Sequence, residues 1–488
     1  MKTNDCSKDM SFNECELTIL RTAVDKAEKK IGRKIVNSPD VKKMISIVEK
    51  FIRRKKLICY GGTAINAILP KADQFYDKDT EIADYDFFST NALEDAKELA
   101  DIYVENGFEE VEAKSGQHHG TYKVFVNFIG MADITQVHKD IFKALKSEAM
   151  CVNGILYASP NYLRMAMFLE LSRPAGDVSR WEKVLKRLSL LNKHHPLLPK
   201  NIDIKCPEMF QRNQEKDKLT NAEESKIYDT LKDTFINEGV VFFGGYAMSI
   251  YSRYMPKLKR NQINKIPDFD VLSEEPEETA TIIKEQLISQ NNISASDIKI
   301  KKHSAIGEIV APHYEILINK NNTIAFIYKP LACHSYNIIK ENGQIIKIAT
   351  IDTMLSFYLA FLYSGRKYYN NERILCLSDY MFRLQEKNKL RQHGVLKRFS
   401  LNCYGEQQTI ECMRAEKTKM FEQLKNNRNS QEYQEWFLRY RPLEHKKVTK
   451  QSSKKHIKHT KHNKNTKKHT KKQKKTSQTK KNRFAHLY

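Results

Sequence analysis

The apolar positions along the chain follow two kinds of pattern, one typical of helices and one typical of strands. Behind Pro39, apolar side chains recur at the spacing of an amphipathic helix. Farther along, short apolar runs bounded by glycine and polar residues indicate buried strands. Ile129 and Gly130 are expected to form the turn into the last of these strands. The pattern predicts helices at 39–55, 63–69 and 89–106, and strands at 56–60, 84–88, 109–114, 121–128 and 131–135.

The same order of elements recurs later in the chain. A helix at 221–239 precedes a strand, two glycines and a helix in 240–254, and a strand with two acids follows at 267–273. The glycine pair recurs after 183 residues and the first of the two acids after 184. Two features at nearly one offset indicate an internal duplication. The sequence therefore predicts an α/β (α+β) protein of two tandem units, each a mixed sheet flanked by helices.

The domain organisation follows from this repeat and from shifts in composition. A proline-containing stretch separates the two units, and a lysine- and histidine-rich run ends the chain. The predicted segments are an N-terminal helical segment 1–38, a first unit with its following helices 39–195, a linker 196–219, a second unit 220–400, C-terminal helices 401–445 and a disordered tail 446–488.

Charge separates the tail from the rest of the chain. The net charge is +24, and residues 446–483 contribute +17 of it. Such a segment has almost nothing apolar to bury. It is either a solubilising tail or a tether for the phosphate backbone of a nucleic acid. No apolar run is long enough to span a membrane, and the first residues show no signal-peptide pattern.

The nine cysteines are scattered and include no CxxC pair. A zinc site or a disulfide framework is therefore not expected, and a reducing compartment fits.

Candidate chemistry begins with Asp84 and Asp86 in the strand at 84–88. Side chains two positions apart on a strand share a face, so the two carboxylates point the same way. They repel each other unless a cation lies between them, and oxygen ligands suit Mg²⁺ or Mn²⁺. The alternative is a pair of solvated acids on an edge strand. Asp133, in an apolar strand, also needs a partner and would complete a site for two metal ions.

Gly61, Gly62 and Thr63 lie where a strand passes into a helix. A helix N-terminus offers unpaired N–H groups to a phosphate, and glycine allows close approach. A glycine turn used only for packing is the alternative, and the stretch contains no P-loop motif.

The spacing of the glycine pair, the DxD and the later aspartate resembles the polymerase-β-type nucleotidyltransferase superfamily. The stretches "YGGTAINAIL", "DYDFF", "MADIT" and 159–188 are similar to poly(A) polymerase catalytic subunits of large DNA viruses, mimivirus-like and poxvirus-like. That resemblance implies addition of AMP from ATP to RNA 3′ ends without a template. It also implies that Asp84 and Asp86 hold two Mg²⁺ or Mn²⁺ ions, that Asp133 holds one of them, and that Gly61, Gly62 and Thr63 hold the triphosphate.

The helical segment after the third aspartate adds candidates for nucleotide binding. These are Tyr162, Arg164, Arg180 and Lys183, the basic ones for the triphosphate. A basic residue on an amphipathic helix also occurs simply on a solvated face.

The second unit departs from the pattern. It keeps Gly244, Gly245, Asp268 and Asp270, but Tyr246 replaces the threonine. Phe326 aligns with Asp133, so this unit is expected to be a degenerate copy kept for architecture or RNA binding. Glu315 is the residue that could substitute for the missing acid.

Other functions stay open from the sequence. The three acids would also serve a CCA-adding or 2′-5′ oligoadenylate enzyme, and a non-catalytic RNA-binding processivity scaffold is the remaining alternative. Expected partners are RNA 3′ ends, ATP and a second copy in a homodimer, with no membrane. The expected location is the host cytoplasm, in the viral factory, with packaging in the virion as an addition.

Overall fold

The structure is a computed structural model. It describes residues 6–7, 9–77, 79–198, 206, 221–260, 268–319, 322–366, 368–388 and 391–444. The tail 446–488 therefore lies outside the described residues, as does most of the linker 196–219. No helix in these ranges is long and apolar enough to cross a membrane.

The first unit is a mixed sheet with its helices. The helices are α1 (Phe12–Val36), α2 (Pro39–Lys55), α3 (Gly61–Ile68), α4 (Ala92–Glu105), α5 (Lys139–Ser147), α6 (Pro160–Leu171) and α7 (Trp181–His194). The strands are β1 (Ile58–Cys59), β2 (Tyr85–Ser89), β3 (Val111–Ser115), β4 (Thr121–Val126), β5 (Ile129–Gln136), β6 (Met150–Val152) and β7 (Ile155–Tyr157).

The second unit repeats these elements. Its helices are α8 (Asn221–Asn237), α9 (Gly245–Ser252), α10 (Lys257–Arg260), α11 (Pro276–Asn291), α12 (Ile351–Phe361) and α13 (Asn371–Lys387). Its strands are β8 (Val241–Phe242), β9 (Phe269–Leu272), β10 (Ile298–His303), β11 (His313–Ile318), β12 (Asn322–Tyr328), β13 (His334–Glu341) and β14 (Gln344–Ala349). The C-terminal segment adds β15 (Cys403–Tyr404), α14 (Ile410–Leu424), α15 (Gln431–Phe437) and β16 (Arg439–Tyr440).

The strand orders of the two sheets confirm the duplication. The first sheet is ordered β16-β3-β4-β5-β2-β1-β7-β6, and the second β10-β11-β12-β9-β8-β14-β13-β15. Leaving out β16 and β15, each strand of one sheet has its counterpart at the same place in the other. The units meet where α6 packs against its counterpart α12. Across this junction the Ser335 N–H donates to the Ser172 carbonyl at 2.8 Å.

Local sequence signals explain the helix that supports the first sheet. α2 begins behind Ser38, whose hydroxyl accepts from the Val41 N–H, and Pro39 occupies its first turn. Lys56, in the left-handed region at φ 53°, ends it. Its apolar face, which includes Met44, Val48 and Phe51, is buried in the core.

Three expectations need correction. The turn before β5 lies at Asn127 and Phe128, both at positive φ, because the strand already starts at Ile129. The C-terminal segment is not helical throughout, since β15 and β16 extend the two sheets. Cysteines form disulfides at Cys6–Cys15, Cys206–Cys376 and Cys333–Cys403, so the expectation of none was wrong. Their partners are 9, 170 and 70 residues apart, and no short-spacing motif could reveal them.

Candidate active site

Three carboxylates converge on one face of the first sheet. Asp84 directly precedes β2, Asp86 lies within it, and Asp133 lies within β5. β2 and β5 are parallel neighbours, and Asp86 is directly opposite Asp133 in their register. Tyr85 points to the other face, where it is buried and donates its hydroxyl to Glu49 at 2.7 Å. The structure thus brings together the three acids that the sequence singled out.

This arrangement makes ionisation of the carboxylates unfavourable. Burial, followed by the charges of Asp84 and Asp133, raises the pKa of Asp86 to about 7. Burial and the charge of Asp133 also raise the pKa of Asp84. Lys123 on β4 opposes the effect, because its ammonium forms an ion pair with Asp133. The site therefore has an excess of negative charge that one lysine only partly compensates.

The donor set fits hard divalent cations. All three groups supply carboxylate oxygens, which suit Mg²⁺ or Mn²⁺, and their mutual repulsion would be relieved by a cation. The three carboxylates are not positioned as a complete set of metal ligands. Within the described ranges, no group of three or more His, Cys, Asp or Glu residues is arranged to hold a metal ion. Asp133 is instead engaged with Lys123.

The glycine pair forms a tight corner against Asp86. Gly61 follows β1, has φ +70° and begins α3. A Cβ on Gly61 would lie 2.6 Å from Asp86 Oδ2, so only glycine fits beside that carboxylate. The Thr63 hydroxyl donates to the Asp84 carbonyl at 2.6 Å. Thr63 therefore fixes the start of α3 to the DxD segment, and the α3 N-terminus opens beside the acids.

One cationic side chain directly before α7 acts on this corner through its charge. Arg180 is half exposed, forms an ion pair with Glu170 at 3.0 Å, and its charge lowers the pKa of Asp86. Lys183 is exposed on the following turn.

Arg187, which sequence reasoning missed, approaches Gly62. It donates to the Tyr76 hydroxyl at 2.7 Å, and its Nη1 would lie 2.8 Å from a Cβ on Gly62. Its place four residues after Lys183 was the available signal, since such residues share a helix face.

The structure does not bring Tyr162 and Arg164 to this corner. Tyr162 is buried between Phe88 and Tyr363, with ring centroids 5.7 and 5.2 Å away. Arg164 is fully buried, and burial lowers its pKa to about 10. Its guanidinium donates to the Asn192 side chain at 2.7 Å and to the His195 carbonyl. Arg164 thus joins α6 to the end of α7, and a triphosphate outside the core cannot reach it.

Arg164→Ala is expected to destabilise the fold rather than weaken ATP binding selectively. It would leave buried acceptors without a donor and open a cavity, which together cost about 3–5 kcal/mol. Lys183→Ala, at an exposed site, should change stability by less than about 0.5 kcal/mol. Thermal unfolding of both variants checks this. A stable Arg164→Ala protein with only a raised KM for ATP would show that the arginine binds nucleotide after all.

The second unit has lost the site on the equivalent face. Phe326 lies opposite Asp270, as Asp133 lies opposite Asp86, and it is fully buried near Tyr368. Tyr246, where the first unit has Thr63, is buried against Phe242. Glu315 takes the register position of Lys123, not that of Asp133.

The Glu315 carboxylate is already engaged. It accepts from Thr323 at 2.6 Å and is paired with His303 at 2.9 Å. Aromatic packing thus replaces the carboxylate cluster in this unit.

Asp86→Asn is expected to stabilise the metal-free protein more at pH 8 than at pH 5. Folding raises the pKa of this carboxyl to about 7, so the folded chain binds its proton more tightly than the unfolded chain. Stability is therefore lost as the pH rises from about 4 to about 7. Asparagine removes that loss, about 1–3 kcal/mol at pH 8. Thermal denaturation in a chelator at both pH values measures it. An equal change at both would contradict the assigned repulsion.

Comparisons with known proteins agree with this geometry. Residues 46–177 match the sequence profile of the family described as poly(A) polymerase catalytic subunit. This segment contains the glycine corner and all three aspartates, so the resemblance seen in the sequence is confirmed there. A protein of Acanthamoeba polyphaga mimivirus, provisionally named a poly(A) polymerase catalytic subunit, is 29% identical over 234 residues. A protein of African swine fever virus with the same provisional name is 34% identical over 168 residues.

These sequence matches are partial. They cover 45% and 33% of this chain, and only 38% and 35% of the mimivirus and African swine fever virus proteins. The fold match is more extensive. The crystal structure of the Megavirus polyadenylate synthase superposes with a TM-score of 0.70 at 19% identity. It covers 87% of this chain and 86% of that one, so the two chains share a fold. The predicted α/β (α+β) architecture of two mixed sheets flanked by helices is confirmed.

Proposed function

We propose that this protein is a template-independent polynucleotide adenylyltransferase that adds AMP from ATP to RNA 3′ ends. The observation that carries the proposal is the register of β2 and β5, which places Asp86 opposite Asp133 and beside the Gly61 corner. An α3 N-terminus and three carboxylates on one sheet face suit a nucleoside triphosphate with its cations. The family match over 46–177 supports the same reading.

The residues proposed to bind the triphosphate lie on the β1 side of β2, and Asp133 lies on the β5 side. Backbone N–H groups at Gly61 and Gly62 face the triphosphate, and Arg180, Lys183 and Arg187 balance charge on the pyrophosphate that leaves. Asp84 and Asp86 would hold two Mg²⁺ or Mn²⁺ ions, and Asp133 would hold the one nearer the RNA. When bound, these ions polarise the attacking hydroxyl and neutralise the phosphates. The RNA 3′ hydroxyl gives up its proton to solvent and its oxygen bonds to the α-phosphorus. The bond from that phosphorus to the oxygen joining the α- and β-phosphates breaks, and pyrophosphate leaves.

Primers with altered terminal riboses test the linkage. An RNA ending in 2′-deoxyadenosine should be extended with ATP, and one ending in 3′-deoxyadenosine should not. The reverse pattern would indicate a 2′-5′ oligoadenylate enzyme. Extension limited to two C and one A would indicate a CCA-adding enzyme, and RNA binding without any extension would indicate a processivity scaffold.

The homodimer is also a proposal, and α1 supports it. Apolar side chains seven residues apart are exposed at Leu17, Val24 and Ile31 of α1 and at Met10 just before it, the spacing of a coiled-coil seam. Residues 9–22 are net acidic, with three acids (Asp9, Glu14, Glu16) and one base (Arg21). Residues 23–36 are net basic, with five bases (Lys26, Lys29, Lys30, Arg33, Lys34) and two acids (Asp25, Glu28). An antiparallel second copy would match both features. A monomeric mass by light scattering would contradict it.

Two expectations remain predictions. The RNA tether in the tail lies outside the described residues. The host cytoplasm or virion as the location is untested, and the disulfides do not favour a reducing compartment.

A further inference from the structure

A line of basic side chains continues the catalytic register toward the edge of the first sheet. Beyond Asp133, the residues directly opposite one another on successive strands are Lys123 on β4, Lys114 on β3 and Arg439 on β16. We call Lys123, Lys114 and Arg439 the basic row. With strands about 4.8 Å apart, it extends roughly 14 Å from Asp133.

The basic row lies on the open face of the sheet. Neighbouring positions on the same strands point to the opposite face, where Ala113 and Val124 are buried and Tyr440 donates to Asp101 of α4. Lys123 and Arg439 keep 39% and 72% of their side-chain surface exposed. The face that bears the three aspartates is therefore also the face that bears these cations.

The positive charge of the row is only partly neutralised. Lys123 is paired with Asp133, and Glu112 is shared between Arg439 at 3.0 Å and Arg441 at 3.2 Å. The Lys114 ammonium lies 4.2 Å from the ring centroid of Phe125, and no ion pair to it is found among the described residues. Closely spaced cations beside an aromatic ring are typical of a surface that follows single-stranded nucleic acid.

The position of the row relative to the aspartates indicates that its ligand is the attacking RNA strand. The glycine corner lies on the β1 side of the aspartates, so the triphosphate occupies that side. The attacking strand must come from the other side of the acids, where β4, β3 and β16 lie. β16 comes from the C-terminal segment, which crosses back from the second unit to add Arg439 and Arg441 to this edge.

The second unit lacks this feature. Its equivalent register runs Asp270, Phe326, Glu315 and Lys301, and no strand covers β10 among the described residues. The Lys301 ammonium is 3.6 Å from Glu315, so its charge is already balanced. The basic row therefore accompanies the complete carboxylate cluster and is absent from the degenerate one.

We propose that the basic row binds the phosphates of the last nucleotides of the RNA and directs its 3′ end toward Asp133. This rests on the proposed function for the identity of the ligand. Lys114 and Arg439 would contact phosphates electrostatically, without reading sequence.

Direct binding of a short single-stranded RNA by the full chain tests this independently of catalysis. In Lys114→Ala/Arg439→Ala, the dissociation constant should rise about 10- to 25-fold at 0.1 M salt, and the salt slope should fall by about 1.4. Lys114→Arg/Arg439→Lys should retain affinity. Lys301→Ala, at the equivalent position of the second unit, should change nothing. Unchanged affinity and slope in the double alanine variant, or an equal loss in Lys301→Ala, would overturn the proposal.

Photocrosslinking separates the row from the basic tail. RNA with 4-thiouridine placed one to four nucleotides from its 3′ end should crosslink to peptides containing 111–125 or 439–441. Crosslinks confined to other segments would contradict the row. If the wild type adds no AMP yet shows these crosslinks, the proposed function fails and the RNA surface stands. If it adds AMP and the double variant binds normally, the surface fails and the function stands.

Discussion

Asp133→Asn is expected to lower AMP transfer by about 1,000-fold or more while leaving the fold intact. The side chain lies opposite Asp86 and is the carboxylate nearest the side from which we propose that RNA enters. Asparagine keeps its size but removes the charge that we propose holds a divalent cation. Metal-ion stabilisation is worth several kcal/mol, and each 1.36 kcal/mol corresponds to tenfold in rate. Single-turnover extension of a labelled RNA with ATP measures the loss.

Asp268→Asn is the matched control in the second unit. Asp268 corresponds to Asp84, but its sheet presents Phe326 where the third acid would be. Its loss should leave the rate within about threefold of wild type, provided the protein remains folded. If Asp268→Asn abolishes transfer and Asp133→Asn does not, the catalytic site belongs to the second unit and the account is wrong.

Gly61→Ala should reduce kcat/KM for ATP by about 100-fold or more. The new methyl group would lie 2.6 Å from Asp86 Oδ2, so the carboxylate or the start of α3 must move. Displacing catalytic groups by about 1 Å can cost about 100-fold. Alanine at φ +70° also adds about 1–2 kcal/mol of backbone strain. Steady-state kinetics with ATP and thermal unfolding measure the two effects.

Gly107→Ala is a control that separates the effect of backbone strain from the effect of the close approach to Asp86. Gly107 also has positive φ, +92°, but a Cβ there would meet nothing within 4 Å. Both variants should lose stability through backbone strain, Gly61→Ala more because of its added contact, and only Gly61→Ala should lose activity. Equal losses of activity would mean that strain, not the approach to Asp86, accounts for the effect.

Local signals were sufficient for the elements that carry the site. Pro39 marked the start of α2, and two short runs bounded by glycine and polar residues placed β3 and β4. The repeat spacing revealed the duplication, because each unit kept its glycine pair and its DxD. The adjacency of Asp86 and Asp133 was an expectation that required two strands to be neighbours, and the sheet order supplies that fact.

Residues whose roles depend on distant contacts were not predictable. Arg187 reaches Gly62 from 125 positions away in sequence, and Lys123 meets Asp133 only because β4 and β5 pair. Arg164 was assigned to phosphate binding because of its charge. It lies in a helix with apolar residues on every side, and such a helix is buried. The pairing of β16 with the first sheet could not be predicted, because a strand of two residues is too short to show a recognisable sequence pattern.

The most direct test of the central claim is extension of a labelled RNA primer by the wild-type protein with each single nucleoside triphosphate, in Mg²⁺ and in Mn²⁺. The account predicts a long ladder of products with ATP and little extension with CTP, GTP or UTP. No extension with ATP under either cation, while the same protein binds the primer, would contradict it.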